Sequence, residues 1–152
     1  MTMQALKPEI YQIKSHNNWR AHVFIFITAF TIIISRRPDA VLNAQFCAED
    51  RQIWYADAYN QGIVHSLFSP FNGYFQTTSR LTAAIAQFFP LAWAPLIFNL
   101  TAIMMKILPI NLIISSRFTY LIPNIRYRLY LAFLYLALPN SFEVHANITN
   151  AH

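Results

Sequence analysis

Residues 81–105, LTAAIAQFFPLAWAPLIFNLTAIMM, run for 25 positions without a Lys, Arg, Asp or Glu. A helix needs about 20 mainly apolar residues to cross the hydrocarbon core of a bilayer, so this run is long enough by itself. If Lys106 lays its stem along the helix and carries its ammonium to the interface, the hydrophobic region extends over 81–116. Two shorter charge-free runs flank it: Ala21–Ser35, with 15 residues, and Leu129–Phe142, with 14. The body of the first, VFIFITAFTIII, is β-branched and aromatic. In water it would read as a strand; in lipid, where backbone groups must be satisfied within the segment, it reads as a spanning helix. Trp19 precedes it and suits the interface. A cleaved signal peptide fits poorly, because Arg36, Arg37 and Pro38 stand where a small-residue cleavage site should lie; an uncleaved anchor is expected. The last run spans only if Tyr127 and Arg128 sit at one interface and the chain continues inward past Pro139. The competing reading is a helix that dips in without crossing.

The whole composition agrees with lipid as solvent. Of 152 residues, 56% are hydrophobic and 11% charged, whereas an ordinary soluble domain is about 25% charged. Disorder is excluded by the apolar content. A disulfide scaffold is excluded because Cys47 is the single cysteine. The expected fold class is therefore all-α integral membrane, with about three transmembrane helices and an amphipathic helical outward loop. As one membrane domain it divides into a tail (1–20), a first span (21–35), an outward loop (36–80), a second span region (81–116), a short loop (117–128), and a third segment leading into a second outward loop (129–152).

Basic residues orient it. Lys7, Lys14 and Arg20 precede the first span, and Arg117, Arg126 and Arg128 follow the second. The loop between holds Arg36, Arg37, Arg51 and Arg80, balanced by Asp39, Glu49, Asp50 and Asp57. Six bases against four favour a cytoplasmic N-terminus in an inner or plasma membrane. The net charge of +5 is accounted for by topology and lipid head groups. No clustered bases suggest nucleic acid.

Four of the six acids thus fall in the outward loop. Residues 49–68, EDRQIWYADAYNQGIVHSLF, read as one helix: Ile53, Ala56, Ile63 and Leu67 recur on an apolar stripe. Asp50 and Asp57, two turns apart, are expected on one face, and Glu49 and Asp50 complement the helix dipole. Ser69–Tyr74 reads as a turn punctuated by Pro70 and Gly73. A second amphipathic helix is expected from Tyr74, past Arg80, straight into the second span. The aromatic edge (Trp54, Tyr55, Tyr59, Phe68, Phe71, Tyr74, Phe75) suits an interfacial position. Acids on an amphipathic helix are ordinarily a solvated face, but here they cluster in a chain poor in acids, beside Arg51 and Arg80. An arginine fork suits the phosphate of a lipid.

The run 48–96, AEDRQIWYADAYNQGIVHSLFSPFNGYFQTTSRLTAAIAQFFPLAWAPL, resembles the first outward loop and second span of bacterial polytopic proteins of the glycosyltransferase C superfamily. The shared pattern is an acidic pair, an aromatic-rich helix, an SLF-P-GY turn and an Arg-Leu lead into the next span. Residues 138–152, LPNSFEVHANITNAH, resemble their second outward loop. The resemblance implies an outward-facing site that transfers a sugar from a polyprenyl-phosphate donor to a glycan, lipid or protein acceptor. It implies Asp50 as catalytic base or metal-binding acid, with Glu49 as runner-up and Glu143 as the second-loop acid. Arg51 and Arg80 would then hold the donor phosphate. No metal site is read from the residues themselves, although such carboxylates suit Mg²⁺ or Mn²⁺. Relatives carry many more spans than this chain has room for, so an N-terminal portion of a longer enzyme is expected. The rivals are a non-catalytic membrane component (of transport or assembly) and an inactive truncated piece.

The remaining candidates reduce to bland readings. The five histidines show no zinc spacing, and Cys47 reads as a small apolar residue. Asn99-Leu-Thr101 matches a glycosylation sequon but lies inside a span. Pro90, Pro95 and Pro109 read as kinks.

Overall fold

A computed structural model describes residues 19–47, 49–138 and 148. Glu143, and with it the second-loop acid, lies outside them, as do the N-terminal tail and His145. Among the described residues the chain is mostly helical, and its only sheet-like contact is a single bridge between Phe71 and Tyr74.

Three long helices form the frame. Helix α1 is Trp19–Arg36, α6 is Ala94–Ile114 and α7 is Ile125–Ala137. His22 near the start of α1 meets Asn111 near the end of α6, and Asn99 near the start of α6 bonds the chain just beyond α1. So α6 runs antiparallel to α1. Arg36 and the carbonyl of Leu138 meet at the ends of α1 and α7, which makes those two parallel. Two segments, Trp19–Arg36 and Leu91–Ile114, are long and apolar enough to cross a membrane. Helix α7, at 13 residues, is not; of the about three spans expected, two have helices of sufficient length and apolarity among the described residues.

Helix α6 is the central pillar. Its N-terminal half contributes Ala94, Phe98 and Ala102 to one buried cluster, with Trp54, Ala58, Ala83, Ala86 and Ile148. The C-terminal half contributes Ile103, Ile107 and Ile110 to a second cluster, with Ala29, Ile33 and Ala132 from α1 and α7. Both sets follow the three- and four-residue spacing of one helical face. Small residues at the α1 and α7 contacts let the backbones approach, the mode by which helices pack when lipid supplies no hydrophobic drive. Beyond it Arg128 donates from Nη1 to the carbonyls of Ile114 (3.1 Å) and Ser115 (2.7 Å). Those carbonyls lie at the C-terminal end of α6, where helical donors run out; the Ser115 carbonyl also accepts from the Phe118 N–H at 3.0 Å, and the arginine completes the cap. Asn124 caps α7 in turn, accepting from the Arg126 N–H at 2.9 Å.

Between α1 and α6 the chain folds into a cap of short helices: α2 (Asp39–Leu42), a π-helix (Asp50–Tyr55), α3 (Ala56–Gln61), α4 (Ile63–Phe68) and α5 (Thr77–Ala86). Two expected continuous helices are broken. The 49–68 stretch winds as a π-helix first and is cut at Gly62, whose φ of 87° and ψ of 151° lie in a region essentially closed to side-chain-bearing residues. The second amphipathic helix stops at Ala86 rather than entering the span. Pro90 has no N–H to donate and biases Phe89 away from helix, and a short 3₁₀ turn, Leu91–Trp93, restarts the chain as α6. Pro95 is tolerated in the first turn of α6 and Pro109 lies within it. The expected turn after Phe68 is present. Asn72 and Gly73 both take positive φ, 51° and 86°, so the backbone reverses in a type I′-like hairpin closed by reciprocal Phe71 and Tyr74 bonds.

Candidate functional site

The cap gathers the four acids of the loop, and each has a different fate. Asp39 is exposed and pairs with Arg37, whose guanidinium holds its carboxyl below the usual range. Asp57 accepts from Gln61 Nε2 at 3.0 Å and from Arg80 Nη1 at 3.4 Å. Glu49, the residue before the π-helix, is half-buried. Asp50 is completely shielded, at 0% exposure.

Asp50 owes its burial to the π-helix. The Ala56 N–H reaches back five residues to the Arg51 carbonyl, the wider winding of a π turn. On that winding Asp50 and Trp54 both face inward while Arg51 and Gln52 face solvent. Such turns are rare and concentrate at functional sites. Neither oxygen of Asp50 makes a hydrogen bond of normal geometry among the described residues. The backbone N–H of Ile148 lies close enough to pull its pKa down somewhat, but loss of water outweighs this, and with the neighbouring Glu49 charge the carboxyl is pushed up to about 7.

Around it the packing is aromatic. Phe46 stands edge-on to Phe98 at 5.7 Å and tilted to Tyr55 at 5.5 Å. Trp54 meets Phe71 edge-on at 5.2 Å and carries the Arg80 guanidinium over its ring at 5.3 Å. Arg80 is 1% exposed, donates to the Ser66 carbonyl at 2.7 Å, and thereby ties α5 to α3, α4 and the π-helix at once. Its observed contacts are those of an internal clamp. A polar chain continues from Asp57 through Gln61 to His65, bridging the break at Gly62. The expected common face of Asp50 and Asp57 is not used as one: the first is enclosed without a side-chain partner among the described residues, the second turns to Arg80.

Beside this core lies an open cleft of about 500 Å³ lined by Ala44, Gln45, Phe46, Arg51, Gln52 and Pro95. Asp50, adjacent in the chain to Arg51, is not among its walls. Thus the structure brings Glu49, Asp50 and Arg51 together at the start of the π-helix and engages Arg80 elsewhere, with Trp54, Asp57 and Ser66. Among the described residues, no three of His, Cys, Asp and Glu cluster as metal ligands would.

Sequence reasoning passed over Asn99. It is buried in α6, where its Nδ2 donates to the carbonyls of Ala40 (2.8 Å) and Gln45 (3.4 Å) and its Oδ1 has no partner among the described residues. The signal was available: a lone carboxamide in an apolar span is costly unless it holds something. Comparison with models of known protein families, with curated proteins and with solved structures finds no match to this chain.

Proposed function

We propose that the chain is an integral membrane protein whose cap faces outward and serves sugar transfer from a polyprenyl-phosphate donor, in the manner of the glycosyltransferase C superfamily. Two apolar helices of spanning length support the membrane reading, as do the aromatic and aliphatic side chains they leave exposed, Phe24, Ile27, Trp93 and Leu108 among them. The N-terminus is then cytoplasmic. One base from each side of the charge balance, Arg80 and Arg128, is internal, so the bias that orients the chain is unchanged.

The observation that carries the catalytic reading is Asp50: a buried carboxyl with no side-chain hydrogen-bond partner among the described residues and a pKa of about 7, on a π turn beside a solvent-facing arginine and a cleft. Perturbed carboxyls of this kind concentrate at active sites. In the reaction, Asp50 takes the proton of the acceptor hydroxyl. The acceptor oxygen bonds to the anomeric carbon as the bond from that carbon to the phosphate oxygen breaks, and the lipid phosphate leaves with the electron pair. Arg51 at the cleft meets its charge; burial, with a smaller contribution from the Glu49 charge, keeps the Asp50 pKa high.

A second reading, a non-catalytic membrane component, is favoured by Asp50 standing outside the cleft wall and by Arg80 being engaged internally. Asp50→Asn distinguishes them in native membranes. On the catalytic reading, transfer of radiolabelled sugar from polyprenyl phosphate falls by about 10²–10⁴-fold, the usual worth of a general base. Undiminished transfer with normal membrane insertion sinks that reading in favour of the second.

A further inference from the structure

We infer that Asn99 is a positioning residue that sets the width of the Arg51 cleft. The cleft has two kinds of wall. Pro95 belongs to α6; Ala44, Gln45 and Phe46 belong to the irregular segment between α2 and the π-helix. That segment has no helix of its own to hold it in place. What joins the walls is Asn99, one turn beyond Pro95 and on the same face of α6. Its amide is 2% exposed and spends its donors on the Ala40 carbonyl (2.8 Å), in α2 just before the segment, and the Gln45 carbonyl (3.4 Å), within the cleft wall. Phe98, next in the chain, seats Phe46 edge-on at 5.7 Å and finishes the register. A carboxamide in an otherwise apolar helix costs free energy to bury; here that cost is offset by fixing a loop whose other tie to α6 is the Phe46–Phe98 ring contact. The role is to hold the 40–46 segment at one distance from α6, so that Arg51 faces a cleft of fixed width.

The native Cys47 reports on this directly, because it follows the cleft wall by one residue and its thiol is half-buried, with burial pushing its pKa up. Full-length protein in lipid nanodiscs is alkylated with a membrane-impermeant maleimide, as the native chain and as Asn99→Leu, which keeps the volume and loses both donors. The leucine variant is expected to react roughly tenfold faster, the factor that one net hydrogen bond is worth. An unchanged rate in a folded variant overturns the proposal. Asn99→Gln keeps the donors and should restore slow alkylation; fast alkylation in it also overturns the proposal, and this holds even if the leucine variant does not fold.

A second measurement rests on the phosphate reading of the cleft: undecaprenyl phosphate binding, with inorganic phosphate as competitor. Asn99→Leu should weaken binding about tenfold and Asn99→Gln should rescue it. Competition by inorganic phosphate at equal strength would assign the cleft to free phosphate, still set by Asn99. Faster alkylation of Asn99→Leu with no lipid-phosphate binding by the native chain supports the positioning role and overturns the proposed donor site, so the two ideas fail separately.

Discussion

A carboxyl that has lost its water and gained no partner resists ionisation, and Asp50 carries that conflict in the folded state alone. Its pKa rises from an ordinary 3.8 to about 7 on folding. Between those values the folded chain binds more protons than the unfolded one, so stability falls as pH rises through the window and levels off above it. At about 1.4 kcal/mol per unit, the loss is at most about 4 kcal/mol. Asp50→Asn, neutral throughout, should remove that slope and be the more stable protein at pH 8. Thermal unfolding at pH 5 and pH 8 checks this, and an undiminished slope in the variant contradicts it. The same titration gives the proposed base its working range, with transfer rising as pH passes about 7. Asp50 was legible in the sequence because acids are scarce and four of them share one loop. The role of Arg80 was not, since its partners Asp57, Ser66 and Trp54 lie 14 to 26 positions away in a chain read locally. Asn99 was dismissed for a sequon it happens to match, when the informative fact was its polarity among apolar neighbours.

Breaks, rather than helices, define the cap at the scale of elements. Pro70, Asn72 and Gly73 announce their turn by residue type, and the structure follows. Gly62 makes no such announcement, because the apolar stripe runs through it without interruption. Its backbone conformation is nevertheless what lets α4 fold back so that Ser66 can reach Arg80. A Cβ added there would meet no atom within 4 Å, so Gly62→Ala tests backbone strain with no steric clash. The expected loss is about 1–3 kcal/mol, read as a lowered midpoint of thermal unfolding; a change within about 0.5 kcal/mol, the ordinary range for a surface substitution, would mean the backbone relaxes freely. The π turn was not legible at all, since its residues satisfy the α-helical pattern equally well. Pro90 was read as a kink in one long helix. In three dimensions it separates α5, which belongs to the cap, from α6, which belongs to the frame.

For the whole molecule, the charge-free runs located the frame correctly and left the height of the third segment open. Arg126 and Arg128, counted as loop residues, belong to α7. Orientation remains the claim with the simplest test. Cys47, the only cysteine, lies in the loop between the two span-length helices. In sealed right-side-out membranes an impermeant maleimide should label it, slowly because its thiol is half-buried; in inverted vesicles it should be protected. Labelling confined to inverted vesicles would reverse the topology and place the cleft on the cytoplasmic face.

The pillar has one more consequence. Helix α6 is gripped along its C-terminal half by α1 and α7, and at its N-terminal end it carries Pro95 and Asn99, one wall of the cleft and the tie to the other. A spanning helix answers a thinner or thicker hydrocarbon layer by tilting. On the proposed membrane reading such a tilt would carry Pro95 and Asn99 with it, so the thickness of the surrounding lipid would itself be a setting of the cleft.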